Sequence, residues 1–466
     1  MSVKDTSRSD TLGALVDSVV GRAPLNKLPL MLADKLEEEF LRDGWPEGLS
    51  LGAEQALASR YGVGRDVLRE VVRLLEARNH ARMRRGPHGG LEVVRPDLDD
   101  LTARLAGYAY VSQLDRSQVL DAWLVLQAGA VRLLGRGSAV TALRSLHGAT
   151  PRARGTALIR SAGSTLLATL ADMIGDLLPS IVDQHIEMPD PDLIGSQVEF
   201  GTMRGGREAL VDRLDVEMEQ GAFVAPLAPR ASCFQHQAMH LVHDLMNTIS
   251  PEAWARGELI GNEFDLADRF GVDKSIVRQA IRLMENAETA TALPDRGREL
   301  VTRLPSTAPL GRLLCAFLVS HDIAISDGEQ VFEALRIEST GLACERATAE
   351  DRATLMAMAD DLDLLRAPLP VAALQAFERL QHHVAYNRLL SLFVDGVKAF
   401  LTWRGEPLPL ASDPIVESYR THTKRVVAAI CSGDGEEARR AEAAKLAALR
   451  AGRAAQLKTV PSTRAT

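Results

Sequence analysis

Aromatic residues make up only 4% of this 466-residue chain, and it carries only four cysteines, Cys233, Cys315, Cys344 and Cys431. A composition poor in rings and rich in Ala, Leu and Arg favours helix over sheet. No two cysteines form a CxxC pair, which argues against a disulfide framework or a thiolate metal cluster and fits a reducing compartment. No apolar run nears the roughly eighteen residues that a membrane span needs. The first residues also lack a charged, apolar, then cleavable signal, so a cytoplasmic protein with no membrane partner is expected. Positive charge is not in excess either: the formal net charge is −8. Any contact with nucleic acid must therefore come from local basic patches. A nucleophile motif, a phosphate loop and paired carboxylates are all missing, so the chain reads as a non-enzyme that needs no cofactor.

What the chain does have is one pattern written twice. Leu57-Ala58-Ser59-Arg60-Tyr61-Gly62-Val63-Gly64-Arg65-Asp66-Val67-Leu68-Arg69-Glu70-Val71-Val72-Arg73 aligns without a gap to Leu266-Ala267-Asp268-Arg269-Phe270-Gly271-Val272-Asp273-Lys274-Ser275-Ile276-Val277-Arg278-Gln279-Ala280-Ile281-Arg282. In the first copy, Leu57, Ala58, Tyr61 and Val63 suit the buried side of a short helix, and Gly62 supplies its left-handed end. A second helix then begins near Gly64. Val67, Leu68, Val71, Val72 and Leu75 can pack it inward, while Arg65, Arg69 and Arg73 recur on another face. Two short helices joined at a glycine, with Arg near the start of the second, form a helix-turn-helix whose Arg can reach guanine O6 and N7. The basic, glycine-rich stretch that follows, with Arg82, Arg84, Arg85 and His88, reads as a two-stranded wing lying against phosphates or in the minor groove. In the second copy, Lys274, Ser275, Arg278 and Arg282 take the corresponding DNA-facing places, and the wing there is less basic.

The repeat extends beyond the readers. Gln118-Val119-Leu120-Asp121-Ala122-Trp123 matches Gln330-Val331-Phe332-Glu333-Ala334-Leu335, and Ser164-Thr165-Leu166-Leu167 resembles Asn387-Arg388-Leu389-Leu390. The unit repeated is thus a reader with a helical partner. This gives a mainly α architecture: two winged helix-turn-helix domains and two all-helical bundles in tandem. The boundaries are 1–23 weakly ordered, 24–95 first reader, 96–230 first helical domain, 231–304 second reader, 305–451 second helical domain, and 452–466 a weakly ordered tail. Leu28, Leu32, Leu36 and Phe40 predict an amphipathic helix ahead of the first motif.

On these residues the chain resembles the GntR family of winged helix-turn-helix regulators. Gly48, Leu51, Glu54, Leu57-Ala58, Gly62-Val63-Gly64-Arg65 and Leu68-Arg69-Glu70-Val71-Val72 follow its pattern, as do Gly257, Ile260, Glu263, Leu266-Ala267, Gly271-Val272-Asp273-Lys274 and Val277-Arg278-Gln279-Ala280-Ile281. Gly64 stands where the family has a Ser cap. Lys274 replaces an Arg and cannot make its planar bidentate contact. The helical domains resemble the family's FCD type, most clearly at Phe377, Ala385-Tyr386-Asn387, Ala429-Ile430 and Gly433-Asp434. Many such domains hold a metal with one Asp and three His. Here those places fall on Leu374, Glu378, Thr423 and Lys445, so no metal is expected. In the first helical domain the corresponding places are Pro151, Gly155 and Val211. Arg336, Glu378, His382 and His422 are the candidates for a small-molecule effector pocket. The run His236, His240, His243 with Asp244 has metal-compatible spacing but reads first as the opening helix of the second reader.

The resemblance implies a sequence-specific transcription regulator, a ligand-modulated repressor whose partner is a double-stranded DNA operator. One chain would act as a pseudo-dimer with unequal heads, and a homodimer with four heads is the other assembly. The alternative function is a ligand-binding or protein-interaction module whose readers have lost DNA.

Overall fold

In the computed structural model, residues 28–178 and 237–459 are described, apart from 85, 87–88, 113, 115, 145–150, 176, 294–298 and 406–409. The fold is mainly helical with small sheets. In the first reader, helix α1 spans Leu28–Arg42, α2 Glu54–Tyr61 and α3 Arg65–Ala77, followed by strands β1 Ala81–Arg84 and β2 Gly90–Val93. Leu32, Leu36 and Phe40 are buried as the spacing predicts, but Leu28 is exposed. It opens the helix, so Leu30 and Ala33 complete the inward face in its stead. Gly62 ends α2 at φ +65°, its N–H held by the carbonyls of Ala58 and Ser59.

The wing strands pair antiparallel from Ala81↔Val93 to Arg84↔Gly90. Trp45, which is buried, donates its indole N–H to the Val94 carbonyl at 2.8 Å and sits edge-on to Phe40 and His80. It ties the base of the wing to α1. A Cβ on Gly90 would lie 2.6 Å from the Gly52 carbonyl oxygen, so only glycine lets the wing close on the loop before α2.

The first helical region comprises α4 Leu98–Val111, α5 Arg116–Leu134, α6 Arg136–Arg144, α7 Pro151–Ser161 and α8 Thr165–Gly175. Residues 179–230 of the expected first helical domain, Val211 among them, lie outside the described residues, as do 1–27. The second reader has the same kinds of element as the first, with one more short helix and one more strand. Helices α9 Gln237–Thr248 and α10 Pro251–Arg256 precede β3 Leu259–Gly261. Then come α11 Glu263–Phe270, α12 Lys274–Asn286, β4 Ala290–Leu293 and β5 Glu299–Thr302. The three strands lie in the order β3-β5-β4. Trp254 plays the part of Trp45, its N–H shared between the carbonyls of Thr289 and Arg303. Helix α9 buries Ala238, Leu241 and Leu245, so the histidine run belongs to a packing helix, with His236 outside the described residues.

The second helical region holds α13 Ala308–Ser320, α14 Ile325–Arg346, α15 Ala349–Asp361, α16 Val371–His383, α17 Arg388–Arg404, α18 Asp413–Ser432 and α19 Gly435–Thr459. Helix α14 is buried on nearly every side and forms the centre of this bundle. The expected weakly ordered tail from 452 is corrected here: α19 continues through Gly452 to Thr459. Its Ala-rich sequence, with Leu, Arg and Glu, favours helix, and Gly452 packs close to Ile415 of α18.

The two helical regions meet along α5 and α14. A Cβ on Gly129 would lie 3.3 Å from Cβ of Ala334. Arg132 donates to Glu338 at 2.8 Å, and Arg346 pairs with Asp121. Asn387 caps α17 and donates to the Gln118 carbonyl at 2.9 Å, while the Arg388 N–H reaches the Gln118 side chain. The opposite corner answers it: Ser164 caps α8 and donates to Asp327, whose second oxygen accepts the Leu166 N–H at 2.9 Å. Each region thus holds the start of a helix in the other, the reciprocity expected of an isologous interface. The expected outcome for Gly129→Leu is a loss of about 1–3 kcal/mol in stability from overpacking, measured by urea denaturation.

Candidate nucleic-acid interface and buried charge cluster

Helix α3 places Leu68, Val71, Val72 and Leu75 in the core, which leaves Arg65, Arg69 and Arg73 exposed on the opposite face. Nothing from a side chain caps its start, since Gly64 has none. Arg69 is not loose: its Nε donates to Glu54 of α2 at 2.8 Å. In the second reader, Lys274, Ser275 and Arg278 are likewise exposed at the start of α12, and Arg278 pairs with Glu263 at 3.5 Å. Asp273 caps α12 by accepting the Ser275 N–H at 2.7 Å. The Ser275 side chain, and after it this backbone N–H, lower its pKa by hydrogen bonding, so a carboxylate stands at this helix start. Arg82 and Arg84 project from β1, and Arg84 pairs with Glu92 across the hairpin at 3.1 Å. Arg85 and His88 lie outside the described residues.

Arg282 departs from its expected place on the DNA-reading face. Its Nε sits 3.0 Å from Glu70 Oε1 of α3, so the second helices of the two readers touch. The residues that mirror this pair are Arg73 and Gln279, where no carboxylate stands. Nothing in either copy read alone signals the contact, because it joins residues more than two hundred positions apart.

A second arrangement that the sequence did not announce fixes the readers to the helical regions. In the first reader, Glu37 lies 2.7 Å from both Arg78 and His80, and Arg78 also donates to Asp34 at 2.8 Å. Burial opposes the charge on Glu37, yet Arg78 and His80 bring its pKa down to about 2. Arg312 of α13 lies within the field of Asp34 and Glu37 and also of Glu288, a buried residue of the second reader. Helix α13 also packs against α1, and the Ser306 hydroxyl just ahead of it donates to Glu288.

In the second helical region the four places singled out by the resemblance converge. Tyr419 donates its hydroxyl to Glu378 at 2.8 Å and to the Leu374 carbonyl at 3.1 Å. Lys445 donates to Glu378 and Gln381 at 3.0 Å each and to Glu442 at 2.8 Å, so its three N–H bonds are all taken. Arg336 pairs with both Glu378 and Glu442. An ammonium in the middle of this set repels a divalent cation, so the set does not fit a transition metal. Among the described residues, no group of three or more His, Cys, Asp or Glu has metal-holding geometry.

Burial disfavours the charge on Glu378, but Arg336 and Lys445 hold its carboxyl well below the usual range. Burial drives His382 well below its usual value, pushes Asp395 up to about 6 and Lys398 down to about 8. Arg336 Nε, His382 Nε2 and Thr423 Oγ1 are buried without a hydrogen-bond partner. Of the four pocket candidates, Arg336, Glu378 and His382 come together. His422 is half-buried and makes none of the cluster's hydrogen bonds.

No family model matches the chain, and no curated protein matches it. Among solved structures it is similar to Streptococcus agalactiae GntR, at 17% identity and a TM-score of 0.36, over 46% of this chain and 99% of that one. It is also similar to E. coli McbR/YncC, at 16% identity and a TM-score of 0.24, over 47% of this chain and 98% of that one.

Two outcomes follow from the buried charges. Lys445→Met removes one of the two cations that Glu378 and Glu442 share, leaving Arg336 alone against two buried carboxylates, and should cost about 3–5 kcal/mol in urea denaturation. Because the folded pKa of Glu37 is depressed, its contribution is present above its ordinary value of 4.5 and is lost as pH falls toward about 2. Fluorescence of Trp45, which lies against His80, should report acid loosening of the first reader over that window, and Glu37→Gln should flatten the pH dependence.

Proposed function

We propose that the protein is a GntR-type, sequence-specific DNA-binding transcription regulator, in which one chain performs the task of a dimer. The observation that carries this reading is the pair of second helices, α3 and α12, lying side by side with exposed cationic first turns and joined by Arg282 and Glu70. Each first turn can enter a major groove and present Arg or Lys to base edges. The reciprocal α5–α14 seam supports the single-chain dimer, since it supplies inside one polypeptide the kind of contact that a symmetric dimer makes between two.

The helix contact also refines the spacing. Each helix rises about 1.5 Å per residue, so even fully splayed the two first turns stay within about 30 Å, short of the roughly 34 Å that separates successive major grooves. The operator is then one contiguous, short and asymmetric site. Asymmetry follows from Arg65 against Lys274, and from the carboxylate of Asp273 at only one helix start.

The cluster around Arg336 is the pocket for a small-molecule effector in this reading, supported by its three unpartnered polar atoms. Repression is the mode of action, with the effector altering how α13 seats the two readers. Selection of bound duplexes from random DNA tests the function. The expected result is one short site made of two unlike halves, with binding that falls steeply as salt rises. Arg69→Ala should abolish specific binding and Arg278→Ala should weaken it less. Absence of salt-dependent, sequence-specific binding would favour the ligand-binding or interaction module instead.

A further inference from the structure

A large apolar side chain stands on the reading face of the second reader. Phe264, the second residue of α11, is 60% exposed. Its backbone is fixed: Asn262 accepts the N–H groups of Phe264 at 2.8 Å and of Asp265 at 3.1 Å, within a capping box closed by Asp265. Its ring lies 3.9 Å beneath Nζ of Lys274, the first residue of α12. Glu263, Phe264, Lys274 and Arg278 thus form one surface group at the start of the second helix. In the first reader, the residue aligned with Phe264 is Gln55, also exposed, and Lys274 aligns with Arg65.

Among the described residues, Phe264 is not one of the side chains packed on the apolar core of the second reader. It does two things for a groove-facing surface. It holds a flexible lysine in place through the attraction of an ammonium for an aromatic face. It also offers an apolar edge beside that cation. Of the groups that base pairs present in the major groove, only the thymine C5-methyl is apolar, and Phe is among the side chains that meet it.

We propose that Phe264 is a specificity-determining residue that reads a thymine methyl, making the second reader selective for A·T where the first, with Gln55 and Arg65, reads polar base edges. The inference rests on the DNA-reading function and narrows it to a base and a group. Lys274, seated on the ring, contacts the adjacent phosphate or purine edge. The two heads therefore differ in the kind of contact made as well as in strength.

The test uses the full chain and duplexes it selects from a random pool, resynthesised with deoxyuridine in place of thymidine at one position at a time. Deoxyuridine keeps every Watson–Crick group and removes only the methyl. For the wild-type chain, one position in the weaker half of the site should lose about four-fold in affinity, the worth of one buried methyl-sized group. Phe264→Gln should bind thymidine and deoxyuridine equally there, and Phe264→Leu, which stays apolar, should keep part of the preference. Specific, salt-dependent binding that is indifferent to every methyl would overturn the role of Phe264 and leave the DNA-reading function standing. Failure to select any sequence would overturn both.

Discussion

The seam between α5 and α14 is the constraint on which the rest of the molecule depends. It can form only because Gly129 and Ala334 let two long helices approach without intervening bulk. The caps at its two corners, Asn387 over Gln118 and Ser164 over Asp327, fix rotation as well as distance. Buried helix starts carry unsatisfied N–H groups, so a cap supplied across an interface binds the two regions more tightly than apolar contact alone. Once that seam is set, the positions of α4 and α13 are set with it. Val111 of α4 lies in the apolar core of the second reader, and α13 packs against α1 of the first. Each reader precedes one helical region in the chain but touches the first helix of the other.

Charge is buried here on an unusual scale, and it is buried in matched sets. Arg336, Lys445, Glu378 and Glu442 share one volume; Arg78, Glu37 and Asp34 share another. Replacing such sets with apolar residues is often neutral or stabilising, so their gain lies elsewhere than in stability. Directional partners give each helix one allowed register. In the second helical region the set also leaves Arg336 Nε and His382 Nε2 buried without a hydrogen-bond partner. Lys445 fixes the choice of chemistry: a tethered cation stands among Glu378, Gln381 and Glu442 and takes the place a bound cation would need.

Much of the site was legible because its signals are local. Gly62 and Gly271 end their helices in the left-handed conformation, as a residue without Cβ allows. The uncapped start at Gly64 and the capped one at Asp273 followed from the side chains alone. The wing of the first reader followed from its glycines and alternating strands. What was missed is non-local. Arg282 matches Arg73 in the alignment and was assigned to DNA, but the partner that redirects it sits on the other reader. Phe264 attracted no notice as one apolar residue in a short helix, since exposure is not written in the helical period. Helix α19 outran its expected end because packing on α18 extends a helix that composition left undecided.

The sequence by itself determined the element types, the twice-written helix-glycine-helix pattern and the cationic positions along its second helix, since helix period, glycine turns and charge spacing act within a few residues of one another. The tertiary structure alone decided which of those residues face outward. It set Glu70 against Arg282, seated α13 on α1 and gathered Glu378, Thr423 and Lys445 from three helices. Such pairings are chosen by the α5–α14 seam, whose geometry depends on volumes and caps supplied from opposite ends of the chain.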